Sequence, residues 1–276
     1  MTPLIIVVAA ALSFPTAVIA EELPIFDAHV HYSHDAREAL PTHEAIAILR
    51  RAGVRRALVS SSDDEGTQRL LNAAPDLIIP ELRPYRTRSD VGAWVHENDI
   101  IRYLEERLAK YQYVAIGEFH LYGADADLPV PRRMVELAKK YGLMLHAHSD
   151  VDAIERLFKQ DPNARILWAH SGFTDPVHVR EMLRKHKNLW ADLAFRTDHA
   201  PGGKLAPEWR EAFLEFPDRF MVGSDTYIAE RWHFVPEHAT TARRWLSELP
   251  RDVAERIGWK NGEDVLGGAF AKRRSE

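Results

Sequence analysis

The sequence has no cysteine among its 276 residues. This absence excludes cysteine nucleophiles, thiolate zinc sites, iron–sulfur clusters and structural disulfides. An excess of one charge sign is also missing, because 36 lysines and arginines stand against 41 aspartates and glutamates, for a net charge of −5. Binding to nucleic acid or to an acidic membrane through bulk charge is therefore not expected. We expect a small-molecule partner.

Long apolar runs are missing too, except at the N-terminus. Residues Leu4 to Ala20 form an uncharged apolar run that ends in Val18-Ile19-Ala20. This pattern predicts a secretory signal peptide over residues 1–20, cleaved after Ala20, and hence a secreted or periplasmic protein. A buried N-terminal strand or helix and an uncleaved anchor are the alternatives, although the run is shorter than the roughly 20 residues that span a bilayer. No membrane span is expected after cleavage.

Residues 21–276 show neither low-complexity linkers nor internal repeats and are predicted to form one domain. Short apolar runs alternate with amphipathic stretches, which predicts parallel strands joined by helical crossovers. The predicted strands are Ile25–Val30, Arg56–Ser60, Leu77–Glu81, Tyr113–Glu118, Met144–His148, Ile166–His170, Leu189–Leu193 and Phe220–Gly223. The predicted helices are Thr42–Ala52, Thr67–Ala74, Ile100–Lys110, Pro131–Tyr141, Val151–Lys159, Pro176–His186, Pro207–Phe216 and Pro236–Glu248.

A closed barrel and an open doubly wound sheet both fit this alternation. The first predicted strand leads into His-Val-His rather than into a glycine-rich phosphate turn, which disfavours an open dinucleotide-binding sheet. Nearly every predicted strand begins apolar and ends in a polar side chain, and barrel enzymes assemble their active sites at these carboxyl ends. The mature length is also close to the roughly 250 residues of such barrels. We therefore predict an α/β fold, a single (β/α)8 TIM barrel.

Histidines and carboxylates follow the apolar part of five predicted strands. Residues two apart on a strand share a face, so paired histidines can bind one metal ion. Each residue alone is more simply a hydrogen-bonded, half-buried side chain or a helix N-cap. Together they would be costly to desolvate without a compensating cation, which favours a metal site. The residues are His29, His31, Glu118, His120, His146, His148, His170 and Asp225.

The donor types also indicate the metal. Four imidazoles with carboxylates and no thiolate suit Zn²⁺, Mn²⁺, Fe²⁺, Co²⁺ or Ni²⁺, whereas Ca²⁺ and Mg²⁺ prefer oxygen ligands. We expect a divalent metal cofactor, by default zinc, as one or two ions.

The order of these motifs resembles the amidohydrolase superfamily, in particular its amidohydrolase-related and TatD-like branches. The closing segment, residues 257–267 (IGWKNGEDVLG), is also similar to the end of that superfamily's chains. The resemblance spans the mature chain and implies a metal-dependent barrel hydrolase. It implies that His29 and His31 bind one metal with Asp225, that His146 and His170 bind a second, and that Glu118 bridges the two.

Asp225, beside a metal-activated hydroxide, is the expected general base and later the proton donor. His148 is an alternative to His146, or a substrate contact. His120 is either a substrate contact or a residue that hydrogen-bonds the ligands. Arg196 is either a clamp for a substrate carboxylate or phosphate, or part of a surface salt bridge. The charged runs Arg83–Arg88 and Lys272–Arg274 are interpreted as solvated surface or tail.

Three functions fit these residues. The first is a hydrolase that attacks a small ester, lactone, amide or phosphoester with a metal-activated hydroxide. The second is a metal-dependent non-oxidative decarboxylase or other lyase, because the related branch includes such enzymes with one metal. The third is a secreted protein that binds metal without catalysis. A TatD-like nuclease is disfavoured by the acidic charge balance and by the absence of a basic stripe.

Overall fold

The computed structural model describes residues 22–275, so the predicted signal peptide lies outside the described residues. Within this range the strands are β1 (Ile25–His31), β2 (Val54–Ser60), β3 (Ile78–Leu82), β4 (Ala115–Leu121), β5 (Met144–Ser149), β6 (Ile166–Trp168), β7 (Leu189–Asp192) and β8 (Phe220–Met221). The helices are α1 (His34–Ala39), α2 (Thr42–Arg51), α3 (Glu65–Ala73), α4 (Asp99–Lys110), α5 (Pro129–Tyr141), α6 (Val151–Gln160), α7 (Pro176–Lys185), α8 (Pro207–Glu215), α9 (Val235–Leu246), α10 (Arg251–Glu255) and α11 (Gly268–Ser275).

The eight strands form one parallel sheet in sequence order, with each strand paired to the next. The sheet also approaches closure, because the Ala28 N–H on β1 donates to the Val222 C=O just beyond β8 at 2.8 Å. A second bond joins the Asp225 N–H to the His29 C=O at 2.8 Å. The predicted (β/α)8 barrel is confirmed, and the carboxyl ends of all eight strands meet at one end of it.

The apolar core lies away from the carboxyl ends of the strands, where the polar residues are found. All seven residues of β1 are buried, as expected for a parallel strand covered on both faces. One cluster of buried side chains, which includes Phe26, Ala28, Leu58, Ile79 and Met144, packs with Leu266 and Phe270 of the C-terminal segment. A larger cluster packs the sheet against the helices. The buried histidines and carboxylates lie beyond the first cluster, towards the carboxyl ends of the strands.

Several predicted boundaries differ from the structure. The predicted sixth strand extended to His170, but β6 stops at Trp168 because His170 and Ser171 have φ values of 55° and 49°, in the left-handed region. The short helix α1 was not predicted.

Gly142, with φ 62°, ends α5 in the left-handed conformation that glycine adopts without steric cost. No helix among residues 22–275 is long and apolar enough to cross a membrane.

Candidate active site

A cavity of about 380 Å³ opens at the carboxyl ends of the strands. Five of the predicted site residues line it: Glu118, His120, His148, His170 and Asp225. His29 and His31 are 1% exposed and lie against Glu118 and Asp225. The structure therefore brings seven of the predicted residues to one place.

Three donor atoms converge near the end of β1. The His29 Nε2 and His31 Nε2 atoms are 3.0 Å apart. Asp225 Oδ1 lies 3.8 Å from the first and 3.5 Å from the second. Two ligands bound tetrahedrally to zinc at about 2.0–2.2 Å are about 3.3–3.6 Å apart. The separations of 3.0, 3.5 and 3.8 Å bracket this range, so small shifts of the side chains would let the three donors share one ion.

An irregularity in strand pairing helps to place the two histidines. The β1–β2 register shifts between Asp27 and Val30, and such bulges re-aim side chains next to active sites. The Asp27 Oδ1 atom accepts the His29 N–H at 3.1 Å and the Ser224 N–H at 3.0 Å, tying β1 to the segment that carries Asp225. Burial raises the pKa of Asp27 to about 6, against these hydrogen bonds.

Two histidine rings are oriented with their Nε2 atoms towards the other donors. The His29 Nδ1 atom lies 3.2 Å from the Asp192 Oδ2 atom, and His170 Nδ1 lies 2.8 Å from the Ala194 C=O. These oxygens only accept hydrogen bonds, so both Nδ1 atoms donate, and each ring presents an Nε2 lone pair when it is neutral. The His170 Nε2 atom then faces Glu118 Oε1 at 3.3 Å. Two acceptors at this distance need a cation between them, either a proton or a metal ion.

Glu118 lies between two pairs of histidines. Its Oε2 atom is 3.1 Å from His31 Nε2 and 3.5 Å from His29 Nε2. Its Oε1 atom is 2.9 Å from His148 Nδ1 and 3.3 Å from His170 Nε2. Burial alone would raise the pKa of Glu118, but the charge of His29 and the hydrogen bonds from His148 and His170 hold it well below its usual range. Glu118 is therefore a carboxylate.

The charges within the site oppose one another. Burial alone would lower the pKa of His29, but the carboxylates of Glu118 and Asp192 raise it well above its usual range. Burial and the nearby Arg83 guanidinium lower the pKa of His31 well below its usual range. His31 is therefore neutral, and its Nδ1 atom lies 3.0 Å from the Ser60 Oγ atom. When Nδ1 carries the proton, the Nε2 atom has a lone pair that can bind a metal ion. The donor set therefore fits a divalent cation.

Arg83 corrects the interpretation of Arg83–Arg88 as solvated surface. The Arg83 side chain follows β3 directly and is buried. Its Nη2 donates to Glu118 Oε2 at 2.7 Å, and its Nε donates to the Glu118 C=O at 3.0 Å. Arg88 stands at the exposed rim of the cavity, 3.6 Å from the Asp35 carboxylate. The position of Arg83 directly after the apolar third strand was a signal that sequence reasoning missed.

His146 and His148 occupy different environments, although both lie on β5. The His146 ring is fully buried and does not line the cavity, because its Nδ1 lies 3.2 Å from both Glu81 oxygens and its Nε2 lies 2.9 Å from Asp192 Oδ2. Burial lowers the pKa of His146, but the Glu81 and Asp192 carboxylates outweigh it and raise the pKa to about 9. His148 lines the cavity and contacts Glu118. The geometry favours His148 as the donor that β5 supplies to the cavity.

Glu81 and Asp192 were not predicted as site residues. Both are carboxylates at the end of an apolar strand, the same signal that singled out Glu118. Asp192 contacts both His29 and His146. It therefore orients the candidate ligand His29 and connects it to the buried His146 ring.

His120 lies on the cavity wall and Arg196 lies beyond it. The His120 ring stacks on His148 at 4.3 Å between centroids, and its Nδ1 lies 3.1 Å from the Tyr85 hydroxyl. Burial lowers the pKa of His120 to about 4. Arg196 does not line this cavity. Its guanidinium bonds Asp198 and backbone carbonyls, including that of His170 at 3.0 Å, so its position does not support the predicted contact with substrate.

The family model described as amidohydrolase (Amidohydro_2) matches residues 26–268. The chain belongs to the amidohydrolase family. This amidohydrolase is thus an enzyme of a superfamily that is generally dependent on divalent metals and that acts on small molecules. Four overlapping groups of its described histidines and carboxylates could hold an ion.

Solved structures share the fold of the amidohydrolase. An uncharacterized TIM-barrel protein, Bb4693 from Bordetella bronchiseptica, is 16% identical with a TM-score of 0.59, covering 90% of this chain and 99% of its own. A probable 2-pyrone-4,6-dicarboxylic acid hydrolase from Acinetobacter baumannii, with citric acid bound, is 13% identical with a TM-score of 0.59, covering 88% and 99%. The Escherichia coli TatD homolog YJJV is 19% identical with a TM-score of 0.58, covering 88% and 98%. No curated protein sequence matches.

The two β5 histidines of the amidohydrolase should respond differently to substitution. We expect His146→Asn to lower the free energy of unfolding by about 3 kcal/mol, because it leaves the buried Glu81 and Asp192 carboxylates without their shared partner. We expect His148→Asn to leave stability almost unchanged but to reduce turnover by about 10²-fold. Denaturant unfolding and steady-state kinetics of both variants measure these effects. If His148→Asn retained full turnover, while a stably folded His146→Asn protein lost it, the assignment would be reversed.

Proposed function

We propose that this amidohydrolase is a metal-dependent hydrolase that hydrolyses a small ester, lactone, amide or phosphoester. The observation that carries the proposal is the convergence of His29 Nε2, His31 Nε2 and Asp225 Oδ1 within 3.8 Å of one another beside the cavity. These residues would hold the ion, by default zinc, with Glu118 against it. When bound, a divalent ion polarises the substrate and lowers the pKa of a coordinated water.

Asp225 is the proposed general base. Its carboxylate lines the cavity, and its backbone is held by the hydrogen bond to His29. It would take a proton from the attacking water and return it to the leaving group, as a carboxylate within hydrogen-bonding reach of both can do. His148 and His170, on the other side of Glu118, would supply donors for a second ion or hydrogen bonds to the substrate.

The cavity wall favours a small anionic substrate with an apolar body. Arg83 and Arg88 lie on the wall with His34, and guanidinium groups bind carboxylates and phosphates in a bidentate manner. Three exposed rings, Phe173, Phe195 and Tyr227, belong to the same wall, and their clustering at one cavity indicates a binding role. One structural neighbour is a probable 2-pyrone-4,6-dicarboxylic acid hydrolase with citric acid bound. This neighbour supports an organic acid as the substrate.

A metal-dependent decarboxylase is the second candidate. The Arg83 guanidinium is 2.7 Å from Glu118 Oε2, and this contact competes with a bridging role for that oxygen. The competition favours a single ion, which is the arrangement associated above with the lyase branch. One equivalent of bound metal, retained in Glu118→Ala, would favour this candidate.

A paired assay separates the two functions. The purified protein, loaded with Zn²⁺ or Mn²⁺, is offered lactones, esters, amides and phosphoesters of small organic acids, and in parallel aromatic and unsaturated carboxylic acids. We expect hydrolysis of the lactones, esters, amides or phosphoesters, and no CO₂ release from the carboxylic acids. Turnover confined to CO₂ release would establish the decarboxylase, and no turnover of either set with any divalent metal would contradict the proposed activity.

A further inference from the structure

A second cavity, of about 570 Å³, lies beside the active-site cavity. It is bounded by the segment after β7, by residues 222–223 after β8 and by α9. None of the candidate metal donors lines it, and it shares no lining residue with the active-site cavity. Its volume is in the range of cavities that bind organic ligands.

The charge of this second cavity is predominantly positive. Its wall includes three arginines and two histidines, with Glu237 as the one carboxylate among the lining residues that the structure describes. Arg196 is occupied by Asp198. By contrast, within residues 22–275 no carboxylate lies within 4.0 Å of the guanidinium of Arg231 or of Arg244. Two arginines without an ion-pair partner among the described residues therefore share one cavity.

One residue of the cavity wall, His199, carries a buried nitrogen that has no hydrogen-bond partner among residues 22–275. His199 is 7% exposed, and its Nδ1 atom has no hydrogen-bond partner among the described residues. The ring contacts Trp245 edge to face at 5.1 Å. Leu193, Val222 and Trp245 complete an apolar portion of the wall. A ligand that combines an apolar body with a hydrogen-bonding anionic group matches this lining.

Arg231 connects the second cavity to Asp225. Its Nε donates to the Asp225 C=O, and its Nη2 donates to the Ser224 C=O at 2.8 Å. Its guanidinium also lies 4.6 Å from the Phe195 ring and 5.4 Å from the Tyr227 ring, both of which line the active-site cavity. An anion bound to Arg231 would thus be separated from the proposed general base, Asp225, by the Arg231 side chain alone.

We propose that the second cavity is a regulatory site for a small organic acid with an apolar body, and that its occupancy is transmitted to Asp225 through Arg231. The acid group pairs with Arg231 and Arg244, its body packs against Val222 and Trp245, and His199 hydrogen-bonds it. The proposal goes beyond the hydrolase activity and does not depend on the identity of its substrate.

Calorimetric titration of the full chain with 2-naphthoate tests the binding, with the neutral isostere 2-naphthamide as comparison. The variants are Arg244→Gln, at an exposed residue where we expect folding to be unaffected, and Thr241→Trp, which would fill the cavity. Arg88→Gln is the matched control at the active-site rim. We expect 2-naphthoate to bind the second cavity of the wild type, Arg244→Gln to weaken this binding at least about tenfold and Thr241→Trp to remove it. Arg88→Gln should leave this binding unchanged and weaken only binding of 2-naphthoate at the active-site cavity. No binding, equal binding of the amide, or a loss confined to Arg88→Gln would overturn the proposal.

Amide hydrogen exchange tests the transmission to Asp225. We expect 2-naphthoate to slow exchange in the segment 224–231 of the wild type, and to leave it unchanged in Arg244→Gln at the same concentration. Binding that leaves this segment unprotected would overturn the proposed coupling.

Discussion

Asp225→Asn should lower kcat by about 10²–10⁴-fold, the usual contribution of a positioned acid–base group. The amide keeps an oxygen at the position of Oδ1, which lies 3.5 Å from His31 Nε2, so the variant retains a donor for the ion while losing the base. Asp225 has φ 53°, and asparagine tolerates this left-handed conformation well. We therefore expect the variant to fold and to bind metal. Steady-state kinetics together with metal analysis of the purified variant measure both properties.

Asp35→Asn is the matched control for this experiment. Asp35 also lines the cavity, but its carboxylate pairs with Arg88 at the rim. We expect it to change turnover by less than about tenfold, because an exposed ion pair contributes little. An Asp225→Asn protein that kept its metal and full turnover would contradict the proposed base.

Removal of divalent metal should abolish turnover, because the proposed reaction depends on an ion held by His29, His31 and Asp225. Dialysis against a chelator is expected to reduce activity by at least about a hundredfold, and Zn²⁺ or Mn²⁺ to restore it. Ca²⁺ and Mg²⁺ should restore little, since imidazole nitrogens are poor ligands for them. Full activity in protein shown by metal analysis to be metal-free would contradict the dependence.

The barrel and the position of its active site could be predicted because they depend on local patterns. Each strand is an apolar run that ends in a polar side chain, and parallel strands place their carboxyl ends together. His29 and His31 share a face for the same reason, since alternate residues of a strand point the same way. The register shift between Asp27 and Val30 could not be predicted from this alternation, because it depends on how β1 pairs with β2.

The partners of each ring could not be predicted, because they come from distant parts of the chain. His146 and His148 have the same strand and the same spacing, but Glu81 and Asp192 surround the first ring while the cavity exposes the second. The sequence places Arg83 in a charged run, whereas its ion pair with Glu118 joins residues 35 positions apart. Charge alone does not distinguish a solvated arginine from a buried one.

Metal stoichiometry tests the central claim most directly. The wild type and a His29→Asn/His31→Asn double variant are stripped of metal, incubated with Zn²⁺, freed of excess ion and analysed for bound zinc. The account predicts at least one tightly bound equivalent in the wild type and the loss of one equivalent in the double variant, with both proteins folded by circular dichroism. Equal zinc in the two folded proteins, or none in either, would contradict a metal centre built on His29 and His31.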